Sequence, residues 1–295
     1  MREHSWVCTL VTQILICSVL FIIIKIGETQ NHVFDGRPQR RPLDVLFLSV
    51  LGGHRRVEEQ FLLIKQMAKV TKVYNAQFVV NISELGEEDP LAQNATGHFQ
   101  SLNIPWYSTK TLKGHGVDHY LKQVKIPYGT TLDLIAVNSG LFQGPPTGAR
   151  KHQLIWLTKT LKESISDWRV VVGFHPVSAC NGTTHGRENF EDQHHIFLRY
   201  GVNLYLSGLA CAEYVQKEGA PLLNNTSKME KGPYLISVDK MSLHHKGRVN
   251  GFLLHRVSPL EFVTYVVNLR GEVVERSELQ QRGEEVMYLE NFKHE

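Results

Sequence analysis

Cysteine is scarce in this chain, with four in 295 residues. Cys8 and Cys17 stand in an apolar N-terminal stretch, Cys180 and Cys211 in the body, and no Cys-x-x-Cys pair is present to build a structural zinc site. Surplus charge is also small. A formal net charge of +3, with no basic stripe and no basic motif interleaved with aromatics, excludes nucleic acid as a partner. Three common catalytic frames are missing: Gly-x-Ser-x-Gly, His-Glu-x-x-His and Gly-x-x-x-x-Gly-Lys-Ser/Thr. Their absence removes the serine-hydrolase, zincin and P-loop readings. There is no internal repeat or low-complexity tract. With 42% hydrophobic and 21% charged residues, the composition is that of an ordinary globular protein.

One long apolar run is present. Ser5–Ile24 carries no charge and ends at Lys25, a length that suits a helix crossing about 30 Å of hydrocarbon. A cleaved signal peptide would have a shorter core, about 7–15 residues, and a small-x-small cleavage site. Ile26-Gly-Glu-Thr-Gln offers a poor one. The expectation is an uncleaved anchor over residues 1–26, with the membrane crossed by residues 5–25. A polar Gly/Pro-containing linker follows over residues 27–42, then a domain over residues 43–295.

Within the domain, Leu43–Val50 reads as a buried strand and Ala76–Ile82 as another. Between them Val57, Phe61, Ile64, Met67 and Ala68 recur at helical spacing, which predicts a core-facing helix. Strand, helix, strand at these lengths is a βαβ unit with parallel pairing. The pattern then repeats. Strands are expected at Pro105–Thr109, Leu132–Val137, Trp168–Gly173 and Val202–Ser207. Helices are expected around Leu154, Leu157 and Leu161 and over Glu188–Tyr200. After Gly232 the texture turns β-branched with short turns, as in YLISV, GFLLHRV and FVTYVV, and Asn268–Gly271 could close a last hairpin. The fold class expected is α/β, a sandwich of two mixed sheets flanked by helices.

From Gln153 to Gln216 the frames are QLIWLTKTLKESISDWRVVVGFHPVSAC and FLRYGVNLYLSGLACAEYVQ. They resemble the C-terminal half of a calcineurin-like metallophosphoesterase, closest to the purple acid phosphatases. The likeness extends more loosely over residues 43–275. Such enzymes hold two metal ions that clamp a phosphate and activate a water, with ligands on loops at strand ends. Matched to those motifs, Gly52 stands where the first Asp is expected and Glu84 falls at the second carboxylate motif. Leu112 and Lys113 take the Asn-His pair after Pro105-Trp106-Tyr107. Phe174, Leu209 and Cys211 take three late histidines. An aromatic ring and an aliphatic chain have no lone pair to give a cation, and Lys113 would repel it.

The resemblance therefore implies the fold with most metal-ligand positions lost, a pseudophosphatase with a binding or regulatory role and no cofactor. Two alternatives stay open. One is an active phosphoric-ester hydrolase with an iron, zinc or manganese pair on an unusual ligand set. His115 and His119, at helical i, i+4 spacing, and the pairs His194-His195 and His244-His245 are the histidines such a set could draw on, though none lies at a matched metal position. The other is a receptor-like module for a phosphorylated ligand, with Lys113 and His175 as residual anion contacts. A partner protein is the further possibility that sequence leaves unnamed.

Orientation divides the signals. Lys25, Arg37, Arg40 and Arg41 follow the apolar run and only Arg2 precedes it, which argues for a cytosolic body. Five Asn-x-Ser/Thr sequons, at Asn81, Asn94, Asn181, Asn224 and Asn225, and the luminal habit of the resembled phosphatases argue the reverse. The expectation is a single-pass protein of the secretory pathway with its body luminal or extracellular. Asn94, Asn181 and Asn224 are the glycan acceptors expected, and Asn81 the least reachable. Secretion after signal cleavage and a cytosolic body are the alternatives. Because the resemblance brings their loops together, Cys180 and Cys211 are expected to face each other. They form either a disulfide or two separate thiols.

Overall fold

The computed structural model describes residues 13, 15, 16, 44–53, 55–109, 119–142, 147–176, 187–211, 229–237, 242, 243 and 250–281. The chain divides into two units, Met1–Asp35 and Gly36–Glu295. In the first, residues 13, 15 and 16 are helical. Among the described residues no helix is long and apolar enough to cross a membrane.

The second unit consists of two mixed six-stranded sheets. The first sheet has the order β12-β11-β10-β1-β2-β3. Its strands are β1 (Val45–Leu51), β2 (Val79–Ile82), β3 (Trp106–Ser108), β10 (Gly251–Val257), β11 (Glu261–Asn268) and β12 (Val273–Gln280). The second sheet runs β4-β5-β6-β7-β8-β9. It comprises β4 (Tyr120–Lys125), β5 (Thr131–Ala136), β6 (Trp168–Gly173), β7 (Leu204–Cys211), β8 (Met229–Ser237) and β9 (Ser242–Leu243). Four helices are described: α1 (Val57–Tyr74), α2 (Pro90–His98), α3 (Gly148–Glu163) and α4 (Arg187–Arg199).

The apolar strands explain the layering. β1, β2 and β6 are buried on nearly every residue, as expected of parallel strands covered on both faces. β1 pairs parallel with β2, and β2 with β3. In the other sheet β5, β6 and β7 are parallel neighbours joined through α3 and α4. The main core lies between the sheets. Phe47, Val80, Ile82, Leu134, Trp168, Val170, Val172, Leu206 and Phe262 share it. A second core forms where α3 and α4 cover the other face of β5–β7, through Leu157, Leu161, Phe197 and Tyr205. Each large side chain so buried contributes about 1.5–3 kcal/mol.

Several elements differ from the sequence pattern. The buried face of α1 is Gln60, Leu63, Ile64, Met67, Ala68, Val70 and Thr71. Val57 and Phe61, expected in the core, point to solvent. Continuing the stripe through Leu63 and Val70 buries more apolar surface than beginning it at Val57. The Phe61 ring instead lies 5.8 Å from that of Phe99. α2 occupies a polar stretch to which the sequence pattern assigns no element. Its start is nonetheless well specified, with Asp89 as N-cap accepting from the Leu91 and Ala92 amides and Pro90 at the first helical position. His119 lies in no helix. It stands just before the strand β4, its ring 4.0 Å from that of Trp156, and His115 lies outside the described residues. β7 runs beyond Ser207 to Cys211, across a bulge between Ser207 and Leu209 in its pairing with β8.

Candidate functional site

In open α/β sheets the ligand site lies outside the carboxyl ends of the parallel strands. Here those ends are Leu51–Gly53 after β1, Ser83–Glu84 after β2, Ser108–Thr109 after β3, Asn138–Ser139 after β5 and Phe174–His175 after β6, with the bulge of β7 beside them.

The floor of this region is apolar. Leu51, Phe174 and Leu209 belong to the inter-sheet core and are 8%, 5% and 7% exposed. They come from both sheets, and Leu51 and Phe174 close over Gly208. A Cβ placed on Gly208 would sit 2.8 Å from Phe174 Cδ2 and 3.0 Å from Leu51 Cδ1, so only glycine lets the ring and the leucine lie against this backbone. The bulge is pinned by Ser207. Its hydroxyl donates to the Leu209 carbonyl at 2.6 Å and accepts from the Leu209 amide at 3.2 Å. The Gly208 amide donates to the Phe174 carbonyl at 3.1 Å.

At the end of β1 the position matched to a metal-binding Asp is Gly52, and a different carboxylate fills the space its side chain would take. A Cβ on Gly52 would fall 2.4 Å from Asp89 Oδ2 and 2.5 Å from Asn81 Oδ1. Asp89 is fully buried, and both its oxygens are engaged. Oδ2 accepts from the Gly53 amide at 2.6 Å and from the Ser83 hydroxyl, while Oδ1 accepts from the Leu91 and Ala92 amides at 2.9 and 3.3 Å. One carboxylate thus ties the loop after β1, the loop after β2 and the start of α2. Thr109 adds a further tie, donating to the Ser83 carbonyl at 2.7 Å and accepting from the Ser83 amide at 2.8 Å. Asn81 is fully buried beside Asp89, and neither atom of its amide has a hydrogen-bond partner.

Across the seam, the His175 amide donates to Ser139 Oγ at 2.8 Å, and His175 Nδ1 lies 3.2 Å from the same oxygen. The Tyr205 hydroxyl donates to the His175 carbonyl at 2.6 Å. Burial holds His175 below the ordinary histidine range, against the opposing pull of the Glu84 carboxylate. The imidazole is therefore neutral near pH 7, with one nitrogen committed to a structural contact. Glu84 itself is exposed.

Several expected residues fall elsewhere or outside the described residues. Leu112, Lys113, Cys180, Asn181 and Asn224 lie outside them, as does the side chain of Cys211. Asn94 is exposed on the helix α2, and its Nδ2 donates to Gln60 Oε1 at 2.6 Å. Asn81 is inaccessible in the core. Leu209 and Cys211 sit within β7 and not in a turn after it, because the bulge at Gly208 lets pairing with β8 continue. Asp89 belongs to no motif of the sequence pattern, although Asp-Pro before a polar stretch is a helix-start signal.

The chemistry of the described donors does not fit a two-metal centre. Phe174 and Leu209 offer no lone pair, Gly52 has no side chain, and the Asp89 oxygens are already taken by four donors. Among the described residues no three His, Cys, Asp or Glu side chains are grouped to hold a metal ion.

No protein-family model matches the sequence, and no curated protein matches it. Solved structures do. GAP50, described as the anchor in the inner membrane complex of Plasmodium, superposes with a TM-score of 0.58 and 15% identity. The match covers 85% of this chain and 94% of that one. A predicted phosphoesterase of Streptococcus pneumoniae TIGR4 matches with a TM-score of 0.37 and 9% identity, over 80% of this chain and 98% of its own. PhoD matches with a TM-score of 0.41 and 11% identity, over 83% and 70%. The chain shares the fold of GAP50, a two-sheet sandwich of the kind that the resemblance to the calcineurin-like metallophosphoesterases implies.

Proposed function

We propose that this protein is a membrane-anchored, purple acid phosphatase-like protein whose sandwich serves binding, assembly or regulation and not phosphoester hydrolysis. The observation that carries the reading is the apolar seam of Leu51, Phe174 and Leu209 over Gly208, at the strand ends where this fold places its chemistry. Two cations there would face a ring and two aliphatic chains and would lose hydration without replacement. The Asp89 carboxylate gives the loops a cross-link of their own. GAP50 is described as an anchor in a membrane complex, and anchoring is the kind of role proposed here; at 15% identity that protein supports the fold alone.

In this reading residues 5–25 cross the membrane once and the body is luminal or extracellular. The test is metal analysis of the purified full chain together with a phosphomonoester assay. No stoichiometric iron, zinc or manganese and no metal-dependent turnover are expected. Two tightly held metal ions per chain, with turnover abolished by Glu84→Ala, would overturn the reading and favour the active hydrolase. A phosphate-dependent rise in melting temperature without turnover would favour the phospho-ligand receptor instead.

A further inference from the structure

The end of the sandwich opposite the seam carries three of the most exposed large apolar side chains among the described residues: Ile165, Tyr128 and Leu260, at 91%, 78% and 76%. They come from three loops: β4–β5, α3–β6 and β10–β11. The strand register places these loops at one end. Lys125 pairs with Thr131 at the β4–β5 hairpin, and Leu132 lies beside Trp168 at the start of β6. In the other sheet Val45 pairs with Val257 just before the β10–β11 turn.

Hydrogen bonds join the three loops into one surface. The Thr131 amide donates to Asp167 Oδ2 at 2.8 Å, and the Thr131 hydroxyl to Ser166 Oγ at 2.9 Å. Gln281 donates from its side chain to the Asp167 carbonyl and from its amide to the Leu260 carbonyl. Trp168 Nε1 donates to the Ser258 carbonyl at 2.9 Å, tying one sheet to the other. Tyr128 is held outward in the left-handed region, at φ 67, a conformation uncommon for a bulky residue outside a constrained turn.

This is also the end at which the chain enters the domain. Asp44, immediately before β1, pairs with Arg256 at 3.0 Å, next to the β10–β11 turn. Residues 25–43 separate the apolar run from β1, and nineteen residues of random chain have a root-mean-square span of about 25 Å. The seam end lies the length of a strand further away, about 23 Å for the seven residues of β1. If residues 5–25 cross a bilayer, so short a separation would give the Tyr128–Ile165–Leu260 end the higher local concentration beside it. Tyrosine with aliphatic neighbours is the composition that settles at the headgroup boundary, ring body in and hydroxyl out.

We infer that this end is a membrane-docking surface: Tyr128, Ile165 and Leu260 insert at the lipid headgroup boundary and turn the seam end away from the bilayer. The inference rests on the anchor reading above. Its test uses the full chain reconstituted in phosphatidylcholine vesicles, with and without bromine on the upper acyl chains. Tryptophan is placed singly, in a Trp6→Phe background, by Ile165→Trp, by Leu260→Trp, or at the seam end by Val57→Trp.

Brominated lipid should quench the emission added at positions 165 and 260 and leave that at 57 unchanged. The triple variant Tyr128→Ser/Ile165→Ser/Leu260→Ser should still float with the vesicles, and a tryptophan placed by Pro259→Trp in it should lose its quenching. Equal emission in both lipids at 165 and 260, in a chain that floats after alkaline washing, overturns the docking and leaves the anchor standing. Blue-shifted but unquenched emission there means a protein cover, either the C-terminal segment 282–295 or a second copy, and also overturns it. A chain that washes off the vesicles sinks the anchor reading itself.

Discussion

The crowding of Gly52, Asp89 and Asn81 makes a quantitative prediction for a double-mutant cycle. Gly52→Ala places a methyl carbon 2.4 Å from Asp89 Oδ2 and 2.5 Å from Asn81 Oδ1, distances no pair of non-bonded atoms tolerates. Asp89 has no free rotamer to retreat to, because its four hydrogen bonds come from three different segments. The single variant should cost about 1–3 kcal/mol, the range of overpacking in a tight core. Asp89→Ala loses the α2 cap, about 1 kcal/mol. It also strands the Gly53 amide and the Ser83 hydroxyl, each about 1–3 kcal/mol unless water reaches it. A total of about 3–7 kcal/mol is expected from the cap and the two stranded groups.

The two changes should not add. Removing the carboxylate clears one of the two close contacts and gives the unpartnered Asn81 amide room to move off the other, so Gly52→Ala should cost much less in the Asp89→Ala background. A coupling of about 1–3 kcal/mol is expected, well above the roughly 0.5 kcal/mol seen for independent sites. Thermal unfolding of the four full-length proteins in one detergent, followed by tryptophan emission, reads it directly. At about 2–4 °C per kcal/mol for a domain of this size, the double variant should melt several degrees above the additive value. Additivity would refute the claim that Asp89 fills the space beside Gly52.

Acid should destabilise the protein through His255. This ring is fully buried between Ser49 Oγ at 2.7 Å and Thr264 Oγ1 at 2.9 Å, and burial pushes it down to about 3. The unfolded chain takes up the proton first, near pH 6.5. Stability is therefore complete above that pH and falls by about 1.4 kcal/mol per unit toward pH 3, about 2 kcal/mol by pH 5. Comparing the pH dependence of unfolding in wild type and His255→Gln isolates this slope; identical slopes would count against it. Endoglycosidase should increase the gel mobility of cell-made protein if the body is luminal, with Asn94→Gln removing part of the shift. Unchanged mobility, with protease access from the cytosolic side, would place the body in the cytosol. Non-reducing peptide mapping should recover Cys180 and Cys211 as one linked pair, and two free thiols would reject the bond.

The parallel core was legible because buried strands announce themselves as short apolar runs between breakers, and β1, β2, β5 and β6 fall within three residues of expectation at either end. β4 was not. Its sequence YLKQVK is polar and exposed on four of six positions, and it is a strand only because β5 offers it an edge. The rotation of α1 was misjudged because the helix carries more apolar residues than one stripe can bury. At the site, Phe174 and Leu209 were visible because they replace chemistry inside a framed motif. Asp89 was not, since its place beside Gly52 arises from three-dimensional convergence. The Asp-Pro pair showed only half of its role, the cap of α2.

The way Asp89 and the seam share one end of the sandwich sets a threshold for anyone engineering metal chemistry into this scaffold. Gly52→Asp alone would drive a second carboxylate into the first. Leu209→His alone would leave an imidazole among aliphatic groups with nothing to coordinate. Either step made singly loses stability before it gains a ligand, so the landscape between the present chain and a working two-metal hydrolase contains a valley. Crossing it requires moving Asp89 and opening the floor in the same design. A combinatorial library that varies positions 52, 89, 174 and 209 together would reach the far side, whereas stepwise selection would stall at its first step.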